Sequence, residues 1–112
     1  MKKFLVLYHA PKSAMKQMEK STPEQAKAGM NAWMKWSKDC GSAIVELGAP
    51  LGNGKSVTPD AITESRKDVA GFSIMQGKTM ETVIKRLKKH PHFMMSGKCT
   101  IEVHEELPMH GM

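Results

Sequence analysis

Val69 to Leu87, VAGFSIMQGKTMETVIKRL, changes its hydrophobic period partway along. Its first seven residues, Val69-Ala70-Gly71-Phe72-Ser73-Ile74-Met75, form a short apolar run that reads as a strand. From Met80 onward the apolar positions are Met80, Val83, Ile84 and Leu87, the i, i+3, i+4, i+7 stripe of a core-facing helix, with Thr79 as its N-cap. Lys88 and Lys89 suit the negative end of that helix, and Pro91 disfavours helical geometry at His90, so the helix ends there.

The same alternation continues on both sides. Upstream, residues 3–8 form an apolar run closed by Pro11, a buried-strand pattern. Thr22-Pro23-Glu24-Gln25 reads as a helix start, with Thr22 as N-cap, Pro23 at the first helical position and Gln25 completing a capping box. This helix is expected to run to about Cys40, with Ala26, Met30, Trp33, Ser37 and Cys40 on one face and Gly41 as a positive-φ stop. Ser13 to Lys20 fits either an extra helical turn or a loop. Ser42 to Leu47 is a second strand, and residues 48–68 read as a long loop dense in Gly, Pro and Asn. Cys99 to His104 is the last strand, with Ile101 and Val103 alternating against Thr100, Glu102 and His104, and residues 105–112 form a tail.

The order β-α-β-β-α-β predicts an α+β, ferredoxin-like fold: an antiparallel sheet of strand order 4-1-3-2 with both helices on one face. The end of the first strand, the end of the second helix and the start of the last strand then share one edge, which gathers His9, His90 and His92. The first helix brings its N-terminus near Thr22 to the same edge, where free N–H groups suit an anion. Alternation assigns the faces. Val45, Leu47, Phe72, Ile74, Ile101 and Val103 are expected to point at the helices, and Ile44, Glu46, Ser73, Met75, Thr100, Glu102 and His104 at the open face.

A chain of 112 residues, 40% hydrophobic and 25% charged, is one domain's worth, residues 1–112. No apolar run reaches the about 18 residues of a membrane span, and the run after Lys2-Lys3 is too short for a signal peptide, so the expected setting is cytoplasmic. Cys40 and Cys99 form no CxxC pattern and fall at opposite edges, which argues against a disulfide or a structural zinc. Seventeen basic residues against eleven acidic ones give +6, but the lysines are scattered and aromatic residues make up only 5%, which argues against nucleic acid as a partner.

Lys88-Lys89-His90-Pro91-His92-Phe93 is the most distinctive segment for chemistry. Imidazoles titrate near neutrality, so two of them flanking a rigid proline at a pocket edge suit acid–base work. Two readings stand: His90 capping helix carbonyls with His92 packed beside Phe93, or His90 and His92 as catalytic groups. His9, His90 and His92 with Glu102 or Glu46 have metal-ligand chemistry but no compact motif such as HExxH, and no metal or other cofactor is expected. Eleven methionines, Met94-Met95 and Met109 to Met112 among them, read as gap-filling and tail residues rather than a copper site.

Lys3 to Tyr8, Trp33 to Trp36, Gly48-Ala49-Pro50-Leu51 and Thr63 to Phe72 follow one another as in the YCII-related, or DGPF-domain, family, which the chain resembles over most of its length. The resemblance implies ferredoxin-like subunits that pair through their open sheets into a dimeric α/β barrel. Relatives are thought to use a His of the first helix with an Asp before a Pro after the second. Those positions fall here near Met30 and at His90-Pro91, and Thr58-Pro59-Asp60-Ala61 stands in the region of the DGPF tetrapeptide, so no catalytic pair carries over.

The expectation is a homodimer holding a small organic ligand between its sheets. His90 and His92 would exchange a proton in a cofactor-free proton transfer or elimination, and His9, Thr22, Glu46, Ser73 and Glu102 would bind. The alternative is a non-catalytic binding or regulatory module with the same groove.

Overall fold

The computed structural model describes residues 1–65, 67–94 and 98–109, without the side chain of Met94. Met95 of the Met94-Met95 pair, and His110 to Met112 of the tail, lie outside the described residues.

The elements run β1 (Lys2–His9), α1 (Lys12–Glu19), α2 (Pro23–Cys40), a 3-10 turn (Gly41–Ala43), β2 (Ile44–Pro50), β3 (Lys55–Val57), β4 (Ile62–Glu64), β5 (Val69–Gly77), α3 (Met80–Leu87), a second 3-10 turn (Pro91–Met94) and β6 (Thr100–Glu105). β2, β5, β1 and β6 form one antiparallel sheet in that order, which is the expected 4-1-3-2 arrangement once β3 and β4 are set aside as a separate hairpin. Ser13 to Lys20 is helical through Glu19, and the long loop contains a regular two-stranded hairpin.

The start of α2 follows its capping box: the Thr22 hydroxyl accepts from the Gln25 N–H, and the Gln25 side chain accepts from the Thr22 N–H. α2 ends at Gly41, whose φ of 56° an L-residue resists. Thr79 caps α3, and Trp36 of α2 ties the two helices by donating its indole N–H to the Arg86 carbonyl at 3.0 Å.

The core lies between the sheet and these helices, where Phe4, Val6, Tyr8, Met75, Trp36, Val83 and Leu87 are buried. Full burial of one such side chain stabilises by roughly 1.5–3 kcal/mol. Register settles the faces. Phe4 opposes Met75 and Glu105, Val6 opposes Ser73 and Val103, and Tyr8 opposes Gly71 and Ile101. Directly opposed residues share a face, so Ile101 and Val103 point at the helices as expected, and Thr100, Glu102 and His104 do not.

On β5 the expectation is inverted. Ser73 and Met75 are buried against the helices, and Phe72 and Ile74 lie on the open face opposite Leu7 and Leu5. Both faces of this central strand carry apolar residues, so alternation alone does not orient it. The buried Ser73 hydroxyl is satisfied: it donates to the Leu47 carbonyl. A serine has one proton to give, so Tyr8 Oη is the donor in its 2.8 Å bond to Ser73 Oγ.

β2 is irregular, with register shifts between Ile44 and Glu46 and between Glu46 and Ala49. As a result Ile44 and Leu47 both pack on the core, Val45 is exposed, and Glu46 faces outward opposite Ile74. Gly48, at φ 84°, sits in this stretch, and a Cβ there would stand 1.8 Å from the Phe72 carbonyl oxygen. Met30 is another correction: it is exposed, because the first half of α2 runs beyond the cover of the sheet. Cys40 and Cys99 are buried and form no disulfide with each other.

No described helix is long and apolar enough to cross a membrane.

Candidate active site on the open sheet face

β1 and β6 deliver four polar side chains to one end of the open face. Alternation places Leu5, Leu7 and His9 on that face of β1, opposite His104, Glu102 and Thr100 of β6. A groove of about 260 Å³ lies between His9, Lys67, Asp68, Thr100 and Glu102, and it continues into a larger, half-apolar hollow lined by Leu7, Val69 and His104.

Hydrogen bonds fix the tautomers. His9 Nδ1 lies 2.8 Å from the Lys67 carbonyl, which only accepts, so Nδ1 carries a proton and the bond leaves Nε2 turned toward Glu102. Nε2 is shut off from solvent and stands 3.5 Å from Glu102 Oε2. On the other side His104 Nε2 donates to Glu102 Oε1 at 2.7 Å. Glu102 is therefore held between two imidazoles. The hydrogen bond from His104 keeps its carboxyl below the usual carboxylate range; desolvation opposes this, and the smaller effect of positive charge on His9, His104 and Lys67 adds to it.

The backbone that positions Lys67 is itself constrained. Asp68 adopts φ 49°, uncommon for any residue but glycine, and its carbonyl accepts from the Ala10 N–H at 3.0 Å. This pins the approach to β5 against the end of β1, and so pins the carbonyl that orients His9.

His90 and His92 arrive at the same edge of the sheet and lie within the fold rather than beside the groove. Both are 2% exposed. His92 Nε2 reaches the His9 carbonyl at 2.8 Å, and the His92 backbone N–H donates to His90 Nδ1 at 2.8 Å. The His90 ring is enclosed by Trp33, Trp36 and Tyr8, with ring centroids 4.3, 4.3 and 4.7 Å away. Desolvation in this aromatic cage, reinforced by His92, lowers the His90 pKa to about 3. The ring is neutral at any ordinary pH, with Nδ1 accepting and the proton on Nε2.

Of the residues singled out in the sequence, the structure thus brings His9 and Glu102 together on the open face. Glu46 is on that face at the far strand β2 and does not line the groove. Thr22 is exposed at the start of α2 with its hydroxyl and N–H engaged by Gln25, and Ser73 is on the helix side. The geometry adds His104, Lys67 and Asp68. His104 was marked by its i, i+2 spacing from Glu102 in a strand, which puts the two on one face; Lys67 and Asp68 have no such sequence signal. The first set of metal-ligand candidates is divided by the sheet, and among the described residues no cluster of three or more His, Cys, Asp or Glu has the arrangement of a metal site.

No family model matches the chain, and no curated protein matches it in sequence. Among solved structures it is similar to 5-chloro-2-hydroxyhydroquinone dehydrochlorinase (TftG) of Burkholderia phenoliruptrix AC1100, in complex with 2,5-dihydroxybenzoquinone. The identity is 18%, the TM-score 0.53, and the match covers 97% of this chain and 95% of the other. At that identity the likeness establishes a shared ferredoxin-like α+β fold over the whole chain.

Proposed function

We propose that the chain is a YCII-related type of subunit, that two copies pair through their open sheets, and that a small organic ligand binds in the hollow at His9, Glu102 and His104. The carrying observation is this constellation: two imidazoles clamp one carboxylate on a sheet face that is otherwise half apolar and uncovered. The molecule is a slab of 50 × 44 × 20 Å, one sheet and one helix layer thick, and Leu5, Phe72 and Ile74 face outward from it. Small-ligand sites combine such apolar walls with a few convergent polar groups.

The chemistry this arrangement favours is cofactor-free proton transfer. Glu102, exposed beside the groove, takes a proton from a ligand O–H or activated C–H, and the His9 ring behind it, with Nδ1 spent on the Lys67 carbonyl, shares that proton at Nε2. The Lys67 ammonium offsets negative charge left on a ligand oxygen. In an elimination, the electron pair of the broken C–H bond forms the new double bond as the leaving group departs with its own pair.

The compound held by the similar dehydrochlorinase provides a probe. Wild-type protein titrated with 2,5-dihydroxybenzoquinone, followed by its visible absorbance, is expected to bind saturably, and His9→Ala and Glu102→Gln to weaken binding at least tenfold. His90→Asn, away from the groove, is expected to bind as wild type does. Equal affinity in all four proteins, or no saturable binding in wild type, overturns the proposal. Recovery of every tested ring or carbonyl compound unchanged from a protein that does bind favours the non-catalytic module.

A further inference from the structure

The hairpin formed by β3 and β4 is well built and buries nothing on its own subunit. Lys55 pairs with Glu64, Ser56 with Thr63 and Val57 with Ile62, and all six residues are exposed. Thr58 and Ala61 close the turn with reciprocal backbone bonds of 2.8 and 3.4 Å, Lys55 and Glu64 form an ion pair, and Ser65 N donates to the Gly54 carbonyl at the base. Val57 and Ile62 stand side by side, 70% and 72% exposed. An isolated two-stranded hairpin is marginal in water, and this one places its only pair of aliphatic side chains where the solvent is.

Surface area says how much cover the chain lacks. A compact monomer of its mass, 12.4 kDa, exposes about 6,100 Å². This chain exposes 8590 Å². Its radius of gyration, 15.6 Å, likewise exceeds the about 13 Å of a compact domain of this length. The excess is roughly 2,500 Å², and a standard interface takes only about 800 Å² from each partner. A sheet-to-sheet contact of standard size therefore leaves excess surface elsewhere still uncovered, and the exposed Val57 and Ile62 are part of the surface off the sheet.

Charge indicates the kind of partner. Residues 53–65 hold one lysine, Lys55, and two acids, Asp60 and Glu64, for a net −1 in a chain of +6, so the remainder carries +7. Lys55 and Glu64 neutralise each other, so the arm's uncompensated charge is the Asp60 carboxylate at its turn; an arm whose lysine is already paired does not suit nucleic acid or an anionic membrane, and that carboxylate does suit the basic surface of another copy. The root of the hairpin leads directly into Lys67 and Asp68, which rim the groove, so an arm seated on a neighbour also holds the groove's rim.

From the unsupported hairpin, the excess area and the charge contrast, we propose that residues 55–64 are a clasp that packs Val57 and Ile62 against a second copy of this chain. The proposal rests on the dimeric reading above and assigns it a second contact. The test is sedimentation equilibrium of the full-length chain, comparing wild type with Val57→Asp/Ile62→Asp and with Leu5→Asp on the open sheet face. Far-UV circular dichroism is expected to be unchanged in the clasp variant, because neither side chain packs on its own subunit. Wild type is expected to dimerise, and the clasp variant to raise the dissociation constant at least tenfold. An unchanged dissociation constant in the clasp variant, with Leu5→Asp dissociating the dimer, overturns the clasp alone. A wild type that is monomeric at tens of micromolar overturns both the clasp and the paired-sheet reading. Dissociation by the clasp variant with no effect of Leu5→Asp supports the clasp and removes the sheet face as the seat of the dimer.

Discussion

Replacing His90 by asparagine isolates the cost of keeping an imidazole dry. The wild-type ring has its pKa lowered to about 3, from an ordinary value near 6.5, because protonation would place a charge among Trp33, Trp36 and Tyr8. Between those two values the unfolded chain binds a proton that the folded chain refuses, so stability falls as the solution becomes more acidic. The contribution is fully present above about pH 7.5 and is lost progressively below 6.5. Carrying the shift through proton linkage, the loss between pH 8 and pH 5 is about 2 kcal/mol. Asparagine does not titrate, and its Oδ1 can take over from Nδ1 as acceptor for the His92 N–H. His90→Asn is expected to be less stable than wild type at pH 8, through the space it leaves in the cage, but to lose about 2 kcal/mol less on going to pH 5. Urea unfolding at pH 8, 7, 6 and 5, monitored by tryptophan fluorescence, measures both proteins on one scale. Parallel stability curves would refute the reasoning, since they mean that His90 takes its proton as readily folded as unfolded.

Two other perturbations test separate parts of the fold and the site. Gly48→Ala is expected to be destabilised by several kcal/mol in thermal unfolding, because the new methyl would collide with the Phe72 carbonyl at a φ of 84° that also disfavours alanine; a variant as stable as wild type would show that β2 is not held in this register. His104→Ala removes the hydrogen bond that holds the Glu102 carboxyl down, so the Glu102 titration followed by carbon NMR is expected to move up toward the ordinary glutamate value; a stationary midpoint would mean that the 2.7 Å contact is not formed in solution.

Much of the fold was legible because local signals and tertiary needs agree. Thr22 and Gln25 form the capping box that their spacing implies, Gly41 ends α2, and Met80, Val83, Ile84 and Leu87 make α3. Residues 99–104 alternate cleanly, so β6 shows its faces in sequence. β5 does not: Phe72 and Ile74 are bulkier than Ser73 and as apolar as Met75, and only the pairing of Val6 with Ser73 decides which set is covered. That pairing is a long-range fact, separated by 67 residues of chain. A serine is also tolerated at 0% exposure only because Tyr8 and Leu47 satisfy it, and neither partner is visible from the strand's own pattern. Met30 failed for a different reason. The α2 stripe is genuine, but a helical period says which face is apolar and not how far along the helix the sheet reaches.

The histidines show the same limit at the site. Topology alone correctly gathers His9, His90 and His92 at one edge, and the 2.8 Å contact between His92 Nε2 and the His9 carbonyl is its outcome. What topology leaves open is which side of the sheet each ring occupies, and this decides the chemistry. His90 follows α3 and is drawn beneath the sheet by the aromatic side chains of α2, where it contributes packing and loses its basicity. His9 is the last residue of β1, one position past the buried Tyr8, so alternation turns it to the open face where Glu102 and His104 stand. The division follows from a single residue of register: the imidazoles inside hold the edge of the fold in place, and the His92 contact to the β1 backbone at His9 steadies a ring that stands outside, on the face of Glu102 and His104.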